Sequence, residues 1–364
     1  MSQEKILIIG TGIIGSQQVK QFVEAGHDVV AIALEKNPTL KQYENDFKYI
    51  LSDRNIKESF EKTISNIRKD CDVNIVIDTY SYDAVTSLRV LRALPNIQNY
   101  ITMSTTLVSD PRQNPSKIGR AINEDCPYWD NIYNCGSYVW NKINLEKALR
   151  NYALENPYTI ITILRLFHVL GQGCYLGCLS PNNREPKLFD KLKSGTIQLA
   201  HGGRSLITTV DVVDIARITQ KFMHNDSSGI INVVNPSIYS AIDYYKVVAN
   251  ELGILGFNVE ALPINEASRI GRWTLMSGPD HIFSSKYLNI EDFSVDPESS
   301  IRKAVQYIIA NPKMQDIPIS KIPVHKQMNK GKKPHITIQE SEIVAYNERH
   351  GVVTKYHHDG IYIL

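Results

Sequence analysis

Charge of one sign, long apolar runs and cysteine are all scarce in this chain of 364 residues. A formal net charge of +2 leaves no basic footprint from which nucleic-acid binding could be read. The apolar runs at 6–9 and 29–34 are strand-sized, far short of the roughly 20 residues of a membrane-spanning helix. The opening Met1-Ser2-Gln3-Glu4-Lys5 lacks the apolar centre of a secretion signal. Five cysteines, an odd number and widely spread, form no disulfide framework and fit reduced thiols. No internal repeat or low-complexity block interrupts the chain. These absences leave a cytoplasmic α/β protein of one large or two modest domains as the expectation.

What is present is concentrated at the start. An apolar run, Lys5-Ile-Leu-Ile-Ile9, meets Gly10, Gly12 and Gly15, and a second apolar run follows at 29–33. This is the strand-turn-helix-strand order of a dinucleotide-binding unit. Gly10 permits the tight turn, Gly12 lets backbone approach a pyrophosphate, and Gly15 lets helix and strand pack closely. The helix opening at Ile13 and Ile14 presents unpaired N–H groups and a positive dipole end to phosphate.

Further strands are predicted over 45–52, 73–77 and 100–103, with helical spacing of apolar residues over 56–69 and 84–94. Such alternation implies a Rossmann-type doubly wound parallel sheet, whose ligands collect beyond the carboxyl ends of the strands. Those ends fall at 10–12, 33–35, 52–53, 78–80 and 104–106. Residues 111–127 read as a surface loop, 138–149 as a long helix and 159–164 as a strand. Residues 171–183 have the composition of a pocket rim. A short helix is expected at 187–192, an extended run at 206–210, a helix at 212–224, a strand at 230–234, and helices at 241–252 and 301–309. The predicted division is a dinucleotide-binding domain over 1–170, with 206–237 returning to it. A smaller substrate-binding lobe takes 171–205 and 238–312. The extension 313–364 begins as a basic linker and ends in short strand pieces, including 352–356 and 361–364, which suit an arm added to the protein's own sheet or to a partner's.

The second informative stretch is Gly136-Ser-Tyr138-Val-Trp-Asn-Lys142. Tyr138 and Lys142 are four apart, so on a helix they share a face. An ammonium near a phenol favours the phenolate, and a phenol so tuned can give or take a proton at a substrate oxygen. A chain with 19 tyrosines produces about one such pair by chance, so its place after the fifth strand matters more than its existence.

With these residues the chain resembles an extended or atypical short-chain dehydrogenase/reductase of the NAD-dependent epimerase/dehydratase group, over roughly 5–311. The resemblance implies that Thr105 orients the substrate oxygen, that Tyr138 is the acid/base, and that Lys142 holds the nicotinamide ribose and tunes Tyr138. It implies that Asp53 meets the adenine, while Thr79 and Tyr80 lie along the pyrophosphate and nicotinamide ribose. Leu164-Arg165-Leu166 and the residues up to Gly171 resemble the family's LRxxxxxG segment, where backbone near Leu166 approaches the nicotinamide. Residues 209–216 resemble the family's FVHVDDLA segment. The chain departs from the family pattern at Ile9, where a glycine is usual, at Leu166 (proline) and at Asp211 (histidine). At the end of the second strand stand Ala33 and Leu34, and the following Glu35 and Lys36 point in opposite directions, so NAD and NADP both remain open as cofactor.

Several residues carry two readings. Thr106, His168 and Arg204 are candidates for substrate contact, Arg204 through an anionic group. His168 can equally be a structural histidine, and Arg204 a solvated one. Cys174 and Cys178 make no metal site without a second pair at zinc spacing, so no metal is expected. The expected activity is NAD(P)-dependent oxidoreduction at a carbonyl or hydroxyl carbon of a small molecule, such as a nucleotide sugar. Epimerisation or dehydration with internally recycled cofactor is the alternative. The absence of acidic residues after Thr105 lowers the dehydratase option. A non-catalytic nucleotide sensor or RNA-associated protein is the reading of another class, against which the set Thr105, Tyr138 and Lys142 argues. Expected partners are a small-molecule substrate and a second copy in a homodimer, with no nucleic acid and no membrane.

Overall fold

A computed structural model describes residues 3–114, 121–174, 176, 188–263, 280, 282–312, 354–357 and 360–363. Its centre is a seven-stranded sheet in the order β11-β6-β5-β4-β1-β2-β3. The strands are β1 (Lys5–Ile9), β2 (Asp28–Ala33), β3 (Lys48–Leu51), β4 (Ile75–Asp78), β5 (Asn99–Thr105), β6 (Ile160–Leu166) and β11 (Gly229–Val233), all paired in parallel. Helices α1 (Ile13–Glu24), α2 (Lys57–Cys71), α3 (Ala84–Ala93), α4 (Ile132–Glu155) and α6 (Val212–Phe222) cover its two faces.

Alternation along the strands decides which face each helix covers. Ile6 and Ile8 of β1 join Val19 and Phe22 of α1 and Ile215 and Ile218 of α6. Leu7 and Ile9 point the other way, to Phe60 and Ile64 of α2, Val90 and Leu91 of α3, and Leu145 and Leu149 of α4. Each such aliphatic side chain contributes about 1.5–3 kcal/mol on full burial, which is why the strands read as continuous apolar runs rather than alternating ones. Strand order reverses at β1, which has β2 on one side and β4 on the other. A crevice beyond the carboxyl ends is expected at that switch point.

A third cluster gathers around α5 (Leu188–Lys193), β8 (Thr196–Ala200), α7 (Ala241–Glu251) and α8 (Pro297–Ala310), through Leu192, Leu199, Tyr244, Tyr245, Ile301 and Val305. β8 pairs in parallel with β13 (Asn258–Leu262), a pairing that sequence periodicity does not reveal. Shorter pairs tie this part to the sheet: β7 (Val169–Leu170) with β10 (Val210–Asp211), and β9 (Leu206–Ile207) with β12 (Tyr239–Ser240).

The structure adds to three expectations. Residues 121–127 are irregular, with Asp125 and Pro127 exposed, but Ile122 and Cys126 are buried with Phe167, Val234 and Phe283. The backbone of Ile122 bridges the strand-like 282–284 segment on both sides. The helix expected from Tyr138 begins at Ile132 and is kinked at Gly136, whose φ of 74° breaks the helical path. The final strands, β14 (Thr354–His357) and β15 (Gly360–Ile363), pair antiparallel with each other and, among the described residues, form a two-stranded sheet separate from the main one. Only two residues separate them, and so short a link favours the local hairpin. The other strand pieces expected beyond 313 lie outside the described residues, as do Cys178 and most of the predicted rim at 171–183. Among the described residues, no helix is long and apolar enough to cross a membrane.

Candidate active site

The glycine turn is constrained by space. A Cβ on Gly15 would lie 1.8 Å from the Gly10 carbonyl oxygen, and one on Gly10 would lie 2.9 Å from Thr79 Oγ1 and Tyr80 Cβ, at a φ of +91°. Gly12 is different. A Cβ there meets nothing within 4 Å, and Gly12 caps α1 without any side-chain hydrogen bond. The N–H groups at the start of α1, from Ile13 onward, lack intrahelical acceptors and lie at a positive dipole end. Residues that crowd Gly10 and Gly15 while leaving Gly12 clear fit a pyrophosphate laid against the turn.

The four residues 78–81, at the end of β4, link this turn to Arg54, to Met103 of β5 and to Lys142. Asp78, at 0% exposure, takes a two-pronged ion pair from Arg54, with Nη1 at 2.6 Å and Nη2 at 2.7 Å. Thr79 Oγ1 donates to the carbonyls of Ile9 and Gly10, both at 3.0 Å. The Tyr80 N–H donates to Asp78 Oδ1, and the Tyr80 carbonyl accepts from Arg54 at 2.9 Å. The Ser81 hydroxyl reaches the Met103 carbonyl at 3.0 Å, and the Ser81 carbonyl accepts from Lys142. Burial pushes the Asp78 carboxyl up, but the adjoining guanidinium outweighs burial and holds it below the usual carboxylate range. The Thr79 hydroxyl is thus committed to the glycine turn, and what Thr79 offers a ligand is its place in the wall.

Lys142 is 5% exposed, and its ammonium bonds two backbone carbonyls, Ser81 and Met103, the latter at 2.8 Å. Burial lowers its pKa to about 8, against the opposing pull of Asp78 and Glu146. Tyr138 lies one turn earlier, on the uninterrupted helix beyond Gly136, half-buried against the cluster of Val108, Trp129, Cys135, Val139 and Ile143. Val108 belongs to the 3-10 turn that Thr105 caps. The Thr105 hydroxyl accepts from the Leu107 N–H at 3.3 Å, which leaves its own proton to donate. Leu166 stands beside Thr105 in the register of β5 and β6. Thr106 is fully buried, and its hydroxyl has no hydrogen-bond partner among the described residues.

A second buried ion pair holds the helix. Arg165 of β6 grips Glu146 of α4 through Nη2 at 2.8 Å and Nε at 3.1 Å, and Ser104 and Tyr128 donate to the same carboxylate. Burial and the Glu146 charge push the Tyr128 phenol up to about 12, so it serves as a donor.

The remaining candidates are more peripheral. Asp53 follows β3, and its carboxylate accepts from the backbone and side chain of Asn55 at the rim. His168 adopts a φ of +38° between β6 and β7, and its carbonyl accepts from Val210. Arg204 is exposed after the turn at 201–203, between β8 and β9. Asp211, where histidine is usual, caps α6 by accepting from Val213. Asp214 is also structural, gripping the backbone of Ser294 and Val295. Sequence reading missed Arg54, Asp78, Glu146 and Arg165 as a group. The signal was there: four charges set into or beside runs that are otherwise apolar.

A parallel Rossmann sheet, a glycine turn at its switch point and a Thr, Tyr and Lys set at the strand exits define a nucleotide-dependent fold of the extended short-chain dehydrogenase/reductase type. The model of the NAD dependent epimerase/dehydratase family matches residues 6–234, and the chain belongs to that family of enzymes. No curated protein matches the sequence. Among similar solved structures is a UDP-glucose 4-epimerase from Thermotoga maritima with UDP-glucose, 15% identical at a TM-score of 0.63, covering 84% of this chain and 99% of that one. Another is the UDP-glucose-4-epimerase from Stenotrophomonas maltophila with NAD and formylated UDP-arabinopyranose, 13% identical, TM-score 0.66, covering 85% and 99%. A dTDP-glucose 4,6-dehydratase from Bacillus anthracis in complex with NAD is 17% identical, TM-score 0.62, covering 86% and 98%. At such identities the likeness is one of fold.

Proposed function

We propose that this enzyme binds NAD(P) at the β1, β3 and β4 exits and acts on a hydroxyl-bearing carbon of a nucleotide sugar, with epimerisation as the reaction. The observation that carries the reading is that the single turn 78–81 bonds both the glycine turn, through Thr79, and Lys142, through the Ser81 carbonyl. A dinucleotide along Gly10–Gly15 would bring its far end toward the exit of β5. Thr105 and Leu166 end neighbouring strands at that exit, Lys142 bonds the Met103 carbonyl of β5, and Tyr138 stands one turn before Lys142 on α4. A nicotinamide bound there supplies the hydride acceptor and, in reverse, the donor.

The chain's own residues handle the proton and the oxygen. Thr105 has its acceptor side occupied by Leu107, so its O–H is directed to a substrate oxygen. Tyr138 takes the proton as that oxygen becomes a carbonyl and returns it when the alcohol re-forms. Lys142, a cation pinned by two carbonyls, favours the phenolate through charge. Neither Thr106 nor Leu107 is acidic, so no carboxylate follows Thr105 to remove a further proton, which supports epimerisation over dehydration. The nucleotide-sugar assignment draws support from the UDP-sugars named with the similar structures.

The test is proton NMR of UDP-glucose, UDP-N-acetylglucosamine and dTDP-glucose incubated with enzyme and NAD, for wild type and Tyr138→Phe. Appearance of a 4-epimer with wild type alone is expected. Net consumption of NADH or NADPH with a ketone, and no epimer from any sugar, would replace this reading by that of a releasing reductase.

A further inference from the structure

We infer that Arg54 is a positioning residue for the cofactor, holding the adenine-side turn after β3 and the ribose-side turn after β4 in one fixed relation. The inference rests on the proposed dinucleotide site and adds a residue to it. Arg54 directly follows Asp53, and its side chain is 5% exposed. Beyond the fork on Asp78, its Nη1 reaches the Tyr80 carbonyl at 2.9 Å and its Nη2 the Ser87 hydroxyl at 3.3 Å. Asp78 in turn holds the Tyr80 N–H at 3.1 Å and accepts from Tyr100 at 2.5 Å. Tyr80 is therefore fixed at both its N–H and its carbonyl by one ion pair, and the peptide carrying Asp53 is fixed from the other end.

Stability does not explain this arrangement. A buried ion pair is often no more stabilising than apolar residues of similar volume, because both charges lose their hydration. What an apolar pair lacks is a donor for the Tyr80 carbonyl and a planar fork that sets the angle between two loops. Lysine lacks the fork as well, since it presents a point charge on a flexible stem. The pair is thus suited to orientation, and the two loops it orients are those flanking a bound dinucleotide.

The experiment compares calorimetric NAD(H) and NADP(H) affinities and thermal unfolding for wild type, Arg54→Lys and the double variant Arg54→Met/Asp78→Leu. The double variant removes both charges, so no ion is left buried alone. The expected result is a variant that still unfolds cooperatively, at a melting temperature lowered by the unpaired Tyr100 hydroxyl and Tyr80 backbone groups, with cofactor affinity weakened about 10–100-fold because the two loops are no longer preorganised. Arg54→Lys should fall between the two. A double variant that folds and binds as tightly as wild type overturns the inference. If the double variant fails to fold, wild-type affinity in Arg54→Lys overturns it equally. Wild type that binds neither nucleotide sinks the functional reading itself, and that outcome is distinct from the other two.

Discussion

Two buried ion pairs flank Lys142, and they tie together different kinds of structure. Arg54–Asp78 joins the turn after β3 to the last residue of β4, and through Arg54 it also holds the irregular backbone at Tyr80. Glu146–Arg165 joins a helix to a strand, both already held by their own ladders. Counted together with Lys142, the two pairs leave one cation without a carboxylate of its own. The comparison teaches that the same chemistry can specify a loop in one place and a helix in another. Damage to the first should appear in cofactor binding, and damage to the second in stability and in the placement of Tyr138.

The largest break is chemical. Tyr138→Phe removes only a hydroxyl from the helix that Glu146 anchors. It should cut turnover about 10²–10⁴-fold with unchanged folding, a loss of general acid–base catalysis measurable in a substrate assay. Next comes Glu146→Ala, which leaves Arg165 buried and unpaired. It should cost about 3–5 kcal/mol in urea unfolding, the usual penalty for removing one partner of a buried pair. Both effects fall on the helix side of the comparison.

The glycine turn sharpens the loop side. Gly15→Ala forces a methyl against the Gly10 carbonyl, so it should cost about 1–3 kcal/mol through overpacking and should also weaken NAD(P) binding. Gly12→Ala meets open space, so stability should move by about 1 kcal/mol or less while nucleotide binding still falls. Thermal melts with and without nucleotide separate the two.

The smallest expected effect is a pH dependence. Lys142 has a folded pKa lowered to about 8 from an unfolded value of 10.5. Between those values the unfolded chain binds more protons, so stability contributed at this site rises with pH. The penalty for charged Lys142 is full below pH 8 and relieved as pH climbs toward 10.5. Relative to Lys142→Met, wild type should gain stability across that window in urea titrations.

The sheet was legible because its strands are unbroken apolar runs bounded by glycine, serine and aspartate, and the glycine turn because GxGxxG has steric reasons at each position. The Tyr and Lys pair stood out through its place after the fifth strand, since its spacing alone arises about once by chance. What could not be read were the contacts between sequence-distant charges. Nothing local says that Arg54 finds Asp78 rather than solvent, since both follow strands and a rim position was equally open to them. The β8–β13 pairing was hidden for the same reason, with 57 residues between Ala200 and Asn258 and no distinctive periodicity in either strand. The kink at Gly136 was hidden because glycine in a helical run reads as a mild penalty until tertiary packing demands a positive φ.

One measurement bears most directly on the claim that the strand exits form a dinucleotide site next to Tyr138: titration of the purified full chain with NAD(H) and NADP(H) by calorimetry, alongside Gly15→Ala. Saturable binding of one nucleotide per chain, weakened in the variant, is the predicted result. Absence of binding for both nucleotides in a folded wild-type protein would contradict it.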